Sequence, residues 1–170
     1  MIELEKKLKE LAGKLNNKNK NVVRSAIISL RHEDPFAGAI RLLIEVFNKT
    51  DDIYIKDLIR NFMNDLKESD ARPEVIAEIK ESYKSETAGM LVSSCWQSGL
   101  DYSAYVPDLV MIFLNGDYVV SLECLTVIEE SLSYIPRKKK NEMIAYLEKN
   151  KGDAMNEKSV LVNELISILS

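Results

Sequence analysis

Hydrophobic residues recur along this chain every three or four positions. Leu4, Leu8, Leu11 and Leu15 form one such stripe, and Phe36, Ala39, Ile40, Leu43, Ile44 and Phe47 form another. Ile55, Leu58, Ile59, Phe62 and Leu66 follow the same rule, as do Ala88, Leu91, Val92, Cys95 and Trp96. This period puts side chains on a single face of an α-helix. Each stripe ends after three or four turns at a short polar break, and no run of alternating β-branched residues predicts a strand. The pattern predicts an all-α chain of many short helices.

The breaks fall into two alternating sets. Asn16 to Lys20, Lys49 to Asp52, Lys84 to Thr87, Asn115 to Asp117 and Asn150 to Asp153 are tight polar turns, most with an N-cap acceptor for the helix that follows. Between them lie Arg31 to Asp34, Ser69 to Arg72, Ser98 to Asp101 and Ser131 to Tyr134. Pro35, Pro73, Pro107 and Pro136 sit at or just after this second set, where a helix's first turn tolerates a missing N–H. Asp34 is placed to cap the helix that Pro35 opens, and Pro107 is expected a few residues inside its helix, as a kink. These marks divide residues 1–170 into five helical hairpins within a single domain, roughly 1–32, 33–70, 71–100, 101–133 and 134–170. One hairpin cannot bury its apolar stripes alone, whereas hairpins stacked side by side share a continuous core.

The second hairpin, from Pro35 through Asp52-Ile53-Tyr54-Ile55-Lys56 to Ile59, resembles a HEAT repeat. Such repeats carry a Pro near the start of the first helix, an Asp in the turn, and an apolar–basic pair opening the second helix. Val23-Arg24 and Ile55-Lys56 match that pair; Gly89-Met90 and Val120-Ser121 occupy the place in the next two units without the basic residue. The resemblance implies an armadillo-type, right-handed α–α superhelix of about five HEAT-like hairpins, with the second helices lining its concave face. On that pattern, Arg24 and Ile28, Lys56 and Arg60, Met90 and Ser94, and Ser121 and Leu125 point into the groove.

Charge changes the picture most. Residues 1–31 carry eight bases and three acids, whereas no Lys or Arg occurs from Ser85 to Pro136, where there are seven acids. Arg137-Lys138-Lys139-Lys140 follows directly, at a helix N-terminus where positive charge opposes the macrodipole. It reads as a solvated tip. A groove running from basic to apolar predicts a partner with a negative end and a hydrophobic end. The helix Val119 to Ile128 is apolar almost all round and is either buried on every side or offers a patch. Trp96 stands where the repeat pattern expects a core leucine. The apolar last helix (Val160, Leu161, Val162, Leu165, Ile166, Ile168, Leu169) is expected to be clasped by its neighbours rather than by another chain.

Chemistry has few places to sit. His32 is the sole imidazole and falls in a connection rather than an apolar cleft, where it reads as an exposed turn residue. Cys95 and Cys124 lie at matching places in consecutive units and read as small core hydrophobes. Asp51-Asp52 reads as a helix cap and Glu129-Glu130 as a charged face. There is no phosphate-binding glycine loop and no metal-binding spacing, so no cofactor and no metal are expected. The expectation is a cytoplasmic, non-catalytic scaffold, monomeric or weakly dimeric, that holds a protein or peptide partner. Some HEAT-like proteins resemble alkylation-repair DNA glycosylases, but the acidic middle and the net charge of −4 oppose nucleic-acid binding. A helper role in bilin attachment rests on fold analogy alone.

Overall fold

The computed structural model describes residues 2–33, 36–152 and 157–170. Among the described residues there are ten α-helices and no strand. They are α1 (Ile2–Leu15), α2 (Lys20–Leu30), α3 (Ala39–Lys49), α4 (Ile53–Asn64), α5 (Arg72–Ile79), α6 (Ser85–Gln97), α7 (Val106–Asn115), α8 (Tyr118–Ser131), α9 (Arg137–Asn150) and α10 (Ser159–Leu169). Single 3-10 turns at Ser69–Ala71, Ser103–Tyr105 and Leu132–Tyr134 precede α5, α7 and α9. No helix among the described residues is long and apolar enough to cross a membrane.

Helix starts follow the local chemistry. Asn19 caps α2 by accepting from the Asn21 N–H at 3.0 Å, Asp52 caps α4 through Ile55 at 3.0 Å, and Asp117 caps α8 through Val120 at 2.9 Å. The proposed cap at Asp34, with Pro35, lies outside the described residues. Pro73 falls in the first turn of α5, and Pro107 in the first turn of α7. Pro107 therefore opens its helix rather than kinking it: the preceding 3-10 turn takes up Ser103–Tyr105, so α7 begins only at Val106. The helix expected from Phe36 likewise starts at Ala39, because Gly38 adopts φ +89°. A side chain at Gly38 would be strained there and would meet Leu8 of α1 at 3.0 Å.

Each odd helix packs on the even helix that follows it: α1 on α2, α3 on α4, α5 on α6, α7 on α8 and α9 on α10. Even helices also pack on even ones, from α2 through α4, α6 and α8 to α10, and α1, α3 and α5 do the same on the odd side, as do α7 and α9. Consecutive odd helices α5 and α7 are the looser step. One hydrophobic cluster runs from Leu11 to Leu169. Most helices contribute a wholly buried side chain to it, among them Ile27, Leu43, Ile59, Leu91, Leu109, Ile128, Leu147 and Leu165. Each such side chain stabilises the fold by about 1.5–3 kcal/mol relative to exposure. The last helix is held this way too: Leu161, Val162, Leu165 and Leu169 are buried where α10 packs on α8 and α9, and Val160 stays exposed.

Candidate functional site

The N-terminal ends of the even helices are laced together. Lys20 and Arg24 of α2 reach the carboxylate of Asp52, the cap of α4, at 2.9 and 3.1 Å. The Lys20 hydrogen bond, helped by the Ile55 N–H, holds the Asp52 carboxyl down at about 2. Lys56 of α4 reaches Glu86 in the first turn of α6 at 2.6 Å, and the Ser85 hydroxyl donates to Asp117, the cap of α8. That donation, with the Val120 N–H, lowers the Asp117 carboxyl below its usual range. Arg24 also stacks over the Tyr54 ring at 4.8 Å, and Lys56 over Phe47 at 5.4 Å. Arg60 pairs with Asp57 on its own helix and lies over Phe47 at 5.7 Å. The three cations expected to face a partner are all engaged inside the protein.

Four of the other expected groove residues are buried. Met90, Ser94, Ser121 and Leu125 lie in the interior, so their side chains are not presented to a partner. These residues lie on helices packed on several sides: α6 against α4, α5 and α8, and α8 against α6, α7 and α10. Ser94 turns its hydroxyl to the Leu91 carbonyl at 2.7 Å, and Ser121 donates to the Phe113 carbonyl at 2.8 Å. Ile28 alone remains as an exposed apolar side chain among the eight.

A different set is exposed on these helices. Trp96 keeps 40% of its surface open instead of entering the core, and its indole Nε1 donates to Glu123 of α8 at 2.8 Å. Val119 and Leu122 on α8 are 56% and 44% exposed, with Tyr118 beside them. These exposed side chains belong to two helices that pack closely on each other, α6 and α8. Glu129 and Glu130 continue the exposed side of α8. The all-round apolar character of α8 was the sequence signal for this patch; nothing in the spacing marked Trp96.

The reactive groups are quiet. His32 is exposed in the turn after α2. Cys95 and Cys124 are free and buried. Burial pushes the Cys95 thiol up to about 12 and raises the Cys124 thiol as well, which removes the nucleophilic thiolate at neutral pH. Among the described residues, no group of three His, Cys, Asp or Glu side chains is arranged to hold a metal ion. A cleft of about 600 Å³ opens beside the loose α5–α7 step, lined by Ile79, Tyr83, Ala88, Met111 and Val120. Of the charged groups that line it, Lys80 and Asp108 pair with each other at 2.5 Å.

Two cations act as long-range caps. Lys158, just before α10, is buried, and its ammonium lies within hydrogen-bond distance of the carbonyls of Phe113, Leu114 and Gly116 at 2.7, 2.9 and 2.7 Å and of the Ser121 hydroxyl at 3.0 Å, so its three N–H groups are shared among them. It closes the carbonyl end of α7, where the macrodipole favours a cation, while desolvation lowers its pKa. Arg137 donates to the Leu169 and Ser170 carbonyls at the end of α10. The basic run at the start of α9 is thus partly structural: its first member opposes its own helix dipole but satisfies its neighbour's. Comparison with protein-family models, with curated proteins and with solved structures yields no match to this chain.

Proposed function

We propose that this chain is a non-catalytic protein-interaction scaffold: five HEAT-like hairpins stacked as a right-handed solenoid, with the even helices on the concave side, where a protein or peptide partner binds. The odd-on-odd and even-on-even packing supports the stack. So do the polar links between successive units, which recur 28, 30 and 32 residues apart at Arg24–Asp52, Lys56–Glu86 and Ser85–Asp117. Buried, protonated thiols and an isolated exposed imidazole favour binding over turnover. Two free cysteines suit a reducing compartment, so the reading takes the cytoplasm as its setting.

The observation that carries the proposal is the exposure of Trp96, Val119 and Leu122 on α6 and α8. Three large apolar side chains stand exposed on two closely packed helices, a preformed surface that lowers the ordering cost of binding. A few anchors, tryptophan prominent among them, carry most of the energy of protein interfaces. The test is a photo-crosslinking amino acid placed singly at Tyr118 and Leu122 on the even side and at Met111 and Tyr146 on the odd side. Exposure of each variant to lysate of the source cells should give one defined adduct from the even positions only. Adducts confined to the odd positions, or none at all, would refute the scaffold reading.

A further inference from the structure

The platform around Trp96 has a chemical preference. Glu86, Glu123, Glu129 and Glu130 stand on α6 and α8 beside Trp96, Val119 and Leu122, and neither helix contains a Lys or Arg. Several cations on neighbouring elements are engaged elsewhere. Lys56 of α4 takes up Glu86 at one edge, Arg60 is paired with Asp57, Lys80 with Asp108 on the odd side, and Lys158 is buried among the α7 carbonyls. Lys67 turns its amine to the Ser98 carbonyl at 2.8 Å. Glu129 and Glu130 are left exposed with no ion pair to a described cation. Beyond Trp96, a cleft of about 200 Å³ lined by Leu100, Val127, Glu130 and Tyr134 extends the surface.

We propose that the α6–α8 face binds a basic amphipathic protein segment, whose apolar side chains seat on Trp96, Val119 and Leu122 and whose Lys or Arg side chains meet Glu123, Glu129 and Glu130. This rests on the scaffold reading and names the class of partner within it. It reverses the expectation of a partially acidic partner, because Arg24 and Lys56 of the expected groove reach carboxylates of the next hairpin and Arg60 pairs with Asp57 on its own helix. Charge complementarity selects the occupant: like charges placed opposite one another suppress an acidic segment, and opposite charges accelerate encounter with a basic one. An anionic membrane surface, which attracts basic and not acidic protein faces, is disfavoured by the same carboxylates.

The sole tryptophan lies in the site and reports on it directly. The probes are two tryptophan-free, fluorescein-labelled peptides of eighteen residues, with leucine at helical spacing and either lysine or glutamate elsewhere. The lysine peptide is expected to bind saturably, raising its anisotropy and shifting Trp96 emission to the blue, and to bind about tenfold or more tighter than the glutamate peptide. Val119→Ser with Leu122→Ser, which removes two exposed anchors without changing charge, should weaken the lysine peptide about tenfold. Met111→Ser on the odd side should leave it unchanged. Far-ultraviolet circular dichroism checks that each variant keeps its helix content. Equal affinity for both peptides, indifference to the double substitution, failure of both peptides to bind, or preferential binding of phosphatidylglycerol vesicles would each overturn the inference. Crosslinks at Leu122 to an acidic partner would leave the scaffold standing and remove only this partner class, whereas adducts on the odd helices would remove the scaffold itself.

Discussion

Lys56 on α4 and Glu86 on α6 meet at 2.6 Å, joining two hairpins through the side chain that the repeat spacing aims at a partner. Lys56 is mostly covered, with its ammonium over Phe47, while Glu86 is more than half exposed. Such a half-screened pair has modest worth. A double-mutant cycle of Lys56→Ala and Glu86→Ala in urea should return a coupling of about 0.5–1 kcal/mol. Lys56→Glu should weaken the fold and leave binding at Trp96 intact; loss of binding with unchanged stability would return Lys56 to the partner surface.

Asp52 makes the protein sensitive to acid. Its carboxyl titrates at about 2 in the folded chain against 3.8 for an unperturbed group, so the folded state holds its proton less tightly. The stabilisation is fully present above the unfolded value, and it is lost as pH falls through the folded one. Thermal melts between pH 6 and pH 2 should show the wild-type midpoint falling most steeply below about pH 4. Asp52→Asn should start lower at neutral pH and lose less on acidification, since it removes the charge that Lys20 and Arg24 meet.

Lys158 should be among the costliest single residues outside the core. Lys158→Met keeps the stem but leaves the carbonyls of Phe113, Leu114 and Gly116 without their shared donor. A loss of about 2–4 kcal/mol in chemical denaturation is expected. Retained stability would mean that these carbonyls find another donor once the amine is gone.

The thiols should be inert until the chain unfolds. Cys95 and Cys124 are free and buried, and burial raises both thiols, Cys95 to about 12. A thiol-exchange reagent such as dithionitrobenzoate should react with neither in the native protein at neutral pH and with both in denaturant. Rapid reaction of one equivalent in the native state would revive a redox role.

Local features were legible in the sequence because they depend on neighbours three or four residues away. Asn19, Asp52 and Asp117 cap the helices whose starts the polar turns marked, and the stripes at Leu43, Ile59 and Leu91 enter the core as their spacing requires. The site was not legible in the same way. Which stripe of an even helix stays open depends on how its neighbours pack, and on α6 and α8 Met90 and Leu125 are buried while Trp96 and Leu122 remain outside. Lys158 and the α7 carbonyls are 42 to 45 residues apart, a separation at which no periodic pattern operates.

The most direct measurement is carbene footprinting of the chain alone and in complex with the partner it captures in its own cells, read residue by residue. The account predicts that labelling falls at Trp96, Val119 and Leu122 and stays constant at Met111 and Tyr146. Protection of Met111 and Tyr146, with Trp96, Val119 and Leu122 labelled equally in both states, would contradict it.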